Sequence, residues 1–145
     1  MILNDNNQIS NGHILIADDD LFYRKLLANY LCGEMFTAAT AEDGDKASHL
    51  LIEKTFDLCI FDFYLPGKPL DAIIHHINMS VHHIPFIIMT GDESCETERI
   101  ARGLGPVFYF VKPFALSDFG SVVKEVVGKA SVIVNTRPHW SVHHE

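Results

Sequence analysis

Four apolar runs in this sequence end in residues able to do chemistry together: Asp18-Asp19-Asp20, Asp62, Thr90-Gly91 and Lys112-Pro113. Three carboxylates gathered within several ångströms repel by about 1 to 4 kcal/mol per close pair, depending on screening, so they call for a cation. Hard carboxylate oxygens suit Mg²⁺, which keeps several waters and takes one or two protein carboxylates together with a phosphoryl group. Lys112 brings a further compact positive charge. The Thr90 hydroxyl, beside the small Gly91, can receive phosphoryl oxygens that metal and lysine leave uncovered. This set suits transfer of a phosphoryl group onto an aspartate, with Asp62 as nucleophile and the other groups as metal ligands or charge neutralisers.

Such a set works only if the fold brings the four chain segments to one edge. His13-Ile14-Leu15-Ile16-Ala17 is a short apolar run of the kind that forms a strand buried on both faces of a parallel sheet. Phe22, Leu26, Leu27, Tyr30 and Leu31 then recur at helical spacing, from a cap at Asp20 to Gly33. The alternation continues through a strand at 36–40, a helix from Glu42 carrying Ala47, Leu50 and Leu51, and a strand at 57–62. Pro66-Gly67 marks a turn before a third helix with Leu70, Ile73, Ile74 and Ile77. A fourth strand at 85–90, a polar helix at 93–102, a fifth strand at 107–111 and a helix with Leu116, Phe119, Val122, Val123, Val126 and Val127 complete the pattern.

Five strands alternating with five helices through short loops predict an α/β domain, a doubly wound (βα)5 sheet with helices on both faces. Ligands of such sheets bind beyond the carboxyl ends of the strands, where the acids, Thr90 and Lys112 fall. Residues 1–12, rich in Asn, Ser and Gly, read as a flexible lead-in; residues 13–128 read as the folded domain and 129–145 as a loose tail. Within that tail Val132-Ile133-Val134 has the composition for a brief strand pairing.

Composition narrows the function classes. The 145 residues carry 19 acids against 11 Lys and Arg, a net charge of −8, so direct binding to nucleic acid is disfavoured. Length and 48% hydrophobic content fit one core and leave little for a second domain. The three cysteines, Cys32, Cys59 and Cys95, lack CxxC spacing and fit a reducing compartment. No apolar run approaches the roughly 18 residues of a membrane span, and the N-terminus lacks a secretory pattern, so a cytoplasmic location is expected. His75-His76 and His82-His83 have no carboxylate or thiol completing a metal set and read as solvated helix-end residues.

The stretches ILIADDDLFYR, AEDGDKA, FDLCIFDFYLPG, IPFIIMTGDE and YFVKPF, in that order, resemble the response-regulator receiver domain of two-component signalling, a CheY-like superfamily, from about His13 to Val127. The resemblance implies a flavodoxin-like sheet of order 2-1-3-4-5 and a signalling switch rather than an enzyme acting on other substrates. By it, Asp62 is the phosphoacceptor, Asp18 and Asp19 are metal-site acids, and the Tyr64 backbone carbonyl is a further Mg²⁺ ligand. Thr90, Gly91 and Lys112 contact the phosphoryl group; Thr90 and Tyr109 form the switch pair; the bond preceding Pro113 is cis. It also implies a histidine kinase or phosphotransfer protein as donor, and a downstream protein target. Helix four, strand five and helix five are then the surface that changes, possible also as a homodimer face.

Two departures stand out. Leu70 replaces the glycine usual eight residues after the phosphoacceptor, and Pro69 adds a proline to that loop, which bears on partner recognition by helix three. Tyr64, two residues after Asp62, is bulky, and Asp92, two after Thr90, is acidic; both positions bear on the lifetime of the phosphorylated state. An Asp-nucleophile phosphatase would want a second acid where Tyr64 stands. A receiver-like module that binds partners without phosphorylation, or a receiver piece of a longer regulator or hybrid kinase, remain the alternatives.

Overall fold

In the computed structural model, which describes residues 2–3 and 9–136 (side chains through residue 129), the predicted alternation forms one parallel sheet. Its strands are β1 (His13–Ala17), β2 (Thr37–Ala41), β3 (Leu58–Asp62), β4 (Phe86–Thr90) and β5 (Phe108–Val111). The helices are α1 (Leu21–Gly33), α2 (Gly44–Glu53), α3 (Leu70–Met79), α4 (Cys95–Gly103) and α5 (Leu116–Thr136). The strand order is β2-β1-β3-β4-β5, the expected 2-1-3-4-5 of a CheY-like flavodoxin fold.

Period-two alternation sorts the strand side chains into two cores. Ile14 and Ile16, Leu58 and Ile60, and Ile87 and Met89 face one side, against Leu27 and Leu31 of α1 and Phe119, Val123 and Val127 of α5. Leu15 and Ala17, Cys59 and Phe61, and Phe86 and Ile88 face the other, against Ala47 of α2, Ile73, Ile74 and Ile77 of α3 and Ala101 of α4. The helices bury stripes at i, i+3 and i+4, as their spacing requires. Each fully buried Leu, Ile or Phe contributes about 1.5–3 kcal/mol, so the central strands β1, β3 and β4 are the rigid part on which the site stands. Cys59 belongs to that core, and burial pushes its thiol well above the ordinary value.

Caps set the helix starts. Asp20 accepts the Phe22 amide, Asp43 the Lys46 amide and Ser94 the Thr97 amide, so α2 and α4 each begin two residues later than hydrophobic spacing placed them. The β3–α3 loop lies against the start of α2. The Gly44 amide donates to the Pro66 carbonyl at 2.7 Å, Lys68 Nζ donates to Ser48 Oγ at 2.9 Å, and a Cβ on Gly44 would overlap the Lys68 carbonyl oxygen. Pro69, an unexpected feature of this loop, sits at the N-cap position of α3 with no side-chain cap.

The two ends depart from the sequence reading. Ile2–Leu3 pairs antiparallel with Ile9–Ser10, and Asn11 is tied to the turn that follows α1 through its amide to the Met35 carbonyl and its side chain to the Glu34 carbonyl. Ser10 and Asn11, read as part of a lead-in, find backbone partners that composition does not reveal. At the other end the backbone of α5 continues to Thr136, so Val132-Ile133-Val134 is helical rather than a paired strand. No proline interrupts α5 before Pro138, which with the rest of 137–145 lies outside the described residues. No helix among the described residues is long and apolar enough to cross a membrane.

Candidate functional site

The carboxyl ends of β1, β3, β4 and β5 bring Asp18, Asp19, Asp62, Thr90 and Lys112 to one edge of the sheet. Asp18 is fully buried, Asp62 is nearly so, and Asp19 is exposed at the mouth. One carboxylate oxygen from each lies within 4.8 Å of the other two. Lys112 crosses from β5 to place its Nζ 2.6 Å from Asp18 Oδ2 and 2.8 Å from Asp62 Oδ2. The lysine side chain is itself 11% exposed, so its charge is shared with the two acids and little screened by water.

The backbone fixes the free sides of both acids. The Asp20 amide donates to Asp18 Oδ1 at 2.9 Å and the Tyr64 amide to Asp62 Oδ1 at 2.9 Å. Arg24 of α1 donates to the Asp18 carbonyl at 2.8 Å. The Tyr23 ring lies under the ammonium of Lys112, 4.3 Å from ring centroid to Nζ, a cation–π contact. Burial pushes the Asp18 carboxyl above the usual carboxylate range, in spite of the Lys112 and Asp20 hydrogen bonds that oppose it. Burial pulls the Lys112 amine down, but the hydrogen bonds it donates to Asp18 and Asp62 outweigh that and hold the amine above its ordinary value. The lysine is therefore charged at neutral pH.

Thr90 is fully buried, its hydroxyl oxygen accepting the Asp92 amide at 3.0 Å and its carbonyl accepting the Lys112 amide at 2.7 Å. Gly91 is exposed, with open space where a side chain would stand. The Lys112–Pro113 peptide is cis. Tyr109 on β5 is only 7% exposed and faces the core beneath α4, with the Arg102 guanidinium 5.4 Å from its ring centroid. Its hydroxyl is buried without a hydrogen-bond partner among the described residues. Burial, then the nearby Glu98 and Asp92, raise the pKa of that hydroxyl.

Three hard, anionic oxygens in one group fit a divalent cation of the Mg²⁺ kind, and the exposed Asp19 leaves the group open to solvent. Residue spacing did not reveal Arg24, the Tyr23 ring, or the way Tyr64 and Asp92 meet. Tyr64 Oη donates to Asp92 Oδ2 at 2.8 Å, while the hydroxyl of Thr97, buried on α4, donates to the same oxygen at 2.6 Å. The one available signal was Thr97 itself, a polar residue one helical turn before Ala101 on the inward stripe of α4.

The sheet order and the acid, hydroxyl and lysine edge define the receiver class of α/β fold. A sequence profile for the response regulator receiver domain matches residues 14–124, and the chain belongs to that family. It is 30% identical over 108 residues to the regulatory protein VirG of Agrobacterium tumefaciens (strain 15955), covering 74% of this chain and 40% of that protein. It is 28% identical over 119 residues to the DNA-binding transcriptional regulator NtrC of Escherichia coli (strain K12), covering 82% of this chain and 25% of that one. A CheY-like receiver domain protein from Methanospirillum hungatei JF-1 shares the fold, with a TM-score of 0.74 at 22% identity over 84% of this chain and 96% of that chain. The chain thus spans less than half the length of the VirG and NtrC relatives.

Proposed function

We propose that this receiver is a phosphoacceptor switch in which Asp62 takes a phosphoryl group from a phosphohistidine on a histidine kinase or phosphotransfer protein. The observation that carries the reading is the Lys112 ammonium shared between Asp18 and Asp62, with Asp19 and Thr90 at the same edge. In the transfer an Asp62 carboxylate oxygen bonds to phosphorus as the phosphorus–nitrogen bond breaks. The electron pair leaves with the imidazole nitrogen, which is then protonated.

Lys112 stabilises charge on the transferring oxygens, in place at hydrogen-bond distance before the reaction and so at little reorganisation cost. The Thr90 hydroxyl and the Gly91 segment cover oxygens on the far side. Asp18, Asp19, Asp62 and the Tyr64 backbone carbonyl would hold Mg²⁺, which when bound supplies further charge neutralisation to the phosphoryl oxygens. The chemistry is self-modification, with hydrolysis of the acyl phosphate resetting the switch; no second substrate is implied.

The output is a protein contact. Phosphorylation at Asp62 draws on the Thr90 hydroxyl and rearranges the packing beneath α4, shifting the population of the α4–β5–α5 surface between two states. Phe108, Val107 and Ile100 leave apolar area exposed on that surface for a downstream protein or a second copy of the chain. The buried, unpartnered Tyr109 hydroxyl makes its present position one that a new hydrogen bond would alter. Residues 13–128 form the working unit of this switch, in a cytoplasmic setting.

A phosphorylation-independent binding module is the second reading. It is favoured by Pro69 and Leu70, which start α3 without a side-chain cap where the resemblance leads one to expect a glycine-containing loop. Incubation with acetyl phosphate and Mg²⁺, followed by intact mass, separates the two. The phosphoacceptor reading expects one added phosphoryl group that EDTA prevents; no addition under any condition, with Mg²⁺ binding also absent, favours the binding module.

A further inference from the structure

Tyr64 touches the phosphoacceptor with its backbone and α4 with its side chain. Its amide donates to Asp62 Oδ1 at 2.9 Å, while its hydroxyl reaches 2.8 Å from Asp92 Oδ2 and 2.9 Å from Thr97 Oγ1. Thr97 Oγ1 is in turn 2.6 Å from Asp92 Oδ2. Three oxygens from three chain segments therefore form a closed triangle: the loop after β3, the loop after β4 and the first turn of α4.

The triangle is held from outside as well. Asp92 Oδ1 accepts the Ser94 amide at 2.8 Å, Ser94 Oγ accepts the Thr97 amide at 3.2 Å, and the Asp92 amide donates to Thr90 Oγ1 at 3.0 Å. The hydrogen bonds from Thr97, Ser94 and Tyr64 hold the Asp92 carboxyl far below the usual carboxylate range, so it is anionic. Two hydroxyl protons then serve three oxygen pairs, and the carboxylate is the acceptor both prefer.

Ordinary helix capping accounts for Ser94 and for the turn at Asp92. It does not account for Tyr64, an exposed residue 28 positions before Asp92 whose hydroxyl nonetheless reaches the carboxylate. We propose that Tyr64, Asp92 and Thr97 form a clasp that fastens the first turn of α4 to the phosphoacceptor loop and carries a change at Asp62 to that turn. This route runs through the Tyr64 side chain rather than Tyr109, and meets the Thr90–Tyr109 pair at the Asp92 amide bonded to Thr90 Oγ1. The anchoring half stands on geometry alone, whereas the transmitting half rests on Asp62 being the acceptor. Tyr64, Asp92 and Thr97 act here as positioning residues.

The test compares native-state hydrogen exchange of the α4 amides in the full chain, wild type against Tyr64→Phe and Thr97→Val, with and without beryllofluoride and Mg²⁺ as a stable stand-in for the acyl phosphate. Without beryllofluoride, each variant is expected to speed exchange in the first turn of α4 about tenfold, the equivalent of about 1.4 kcal/mol, and to leave the central strands unchanged. The double variant is expected to add less than the two single effects together, since both hydroxyls serve one carboxylate.

With beryllofluoride, wild type is expected to change its α4 exchange and Tyr64→Phe to lose at least half of that change. A purely structural role would shift both states equally and leave their difference intact, which would overturn the transmitting role. First-turn exchange equal to wild type in both single variants would overturn the clasp altogether. Absence of any beryllofluoride response in wild type would overturn the transmitting role and the phosphoacceptor reading, while the comparison without it still decides the anchoring role.

Discussion

Lys112 and Asp62, 50 residues apart in sequence, meet at 2.8 Å at the carboxyl edge of the sheet. The contact ties the end of β5 to the end of β3 across β4, and Lys112 makes a second bond of 2.6 Å to the buried Asp18. A single ammonium therefore offsets two carboxylates that would otherwise face each other in a poorly solvated crevice. The same group is placed to meet an incoming phosphoryl group, so stability and chemistry draw on one side chain.

Removing that charge leaves Asp18 and Asp62 unpaired. Lys112→Met is expected to destabilise the metal-free protein by about 3 kcal/mol, as for other buried pairs that lose one partner. Mg²⁺ should recover part of the loss by supplying the missing positive charge. Urea midpoints with and without Mg²⁺ check both statements; an unchanged midpoint would show that the three groups do not interact as their distances imply.

Asp19 is the member of the acid group that stands in solvent. Asp19→Asn should change metal-free stability by no more than about 0.5 kcal/mol, as for surface substitutions in general. In the wild type, Mg²⁺ at 100 times its Kd should add about 2.7 kcal/mol, and the variant should need a higher Mg²⁺ concentration for the same gain. Thermal melts across a Mg²⁺ titration give the measurement, with EDTA as the zero point.

The depressed Asp92 carboxyl sets a pH window for the clasp. Its folded value lies below the unfolded one, so the contribution is fully present above the ordinary aspartate range and is lost only as pH falls through the depressed folded value. The difference in α4 exchange between wild type and Tyr64→Phe should therefore be constant from about pH 5 to pH 8 after correction for intrinsic exchange. A difference that fades between those limits would mean Asp92 is not the anion holding the clasp.

Gly44 tests how the Asp62 loop is supported. A methyl group there would overlap the Lys68 carbonyl oxygen, so Gly44→Ala must displace the β3–α3 loop or α2. A cost of about 1–3 kcal/mol is expected, together with slower phosphoryl uptake if the loop carries Asp62 with it. Denaturant midpoints and the rate of mass gain from acetyl phosphate measure the two effects.

Much of this was legible in the sequence because burial on both faces leaves an unmistakable trace. Ile14 to Ala17, Leu58 to Phe61 and Phe86 to Met89 are apolar throughout because each strand must satisfy two cores, and the polar residue ending each run marks the sheet edge. Asp18, Asp62, Thr90 and Lys112 could be placed together from that rule alone. The clasp could not, because the meeting of Tyr64 with Asp92 and Thr97 depends on how two loops bend, which no periodicity records. The same holds for Arg24 and Tyr23, which read as ordinary residues on the first turn of α1. At the ends, short-range composition misled. Asn11 and Ser10 resemble a free lead-in until their partners just after α1 and at Gly12 are known, and Val132-Ile133-Val134 carries strand propensity that the continuing helix overrides.

The central claim is that Asp62 carries the phosphoryl group, and borohydride trapping tests it most directly. Reduction of an acyl phosphate converts the modified aspartate to homoserine, which peptide mass mapping locates. After treatment with acetyl phosphate and Mg²⁺, homoserine is expected at position 62 and nowhere else, and no homoserine is expected in Asp62→Asn. Homoserine at Asp18, Asp19 or Asp20 in the wild type, or trapping that persists elsewhere in Asp62→Asn, would contradict the account.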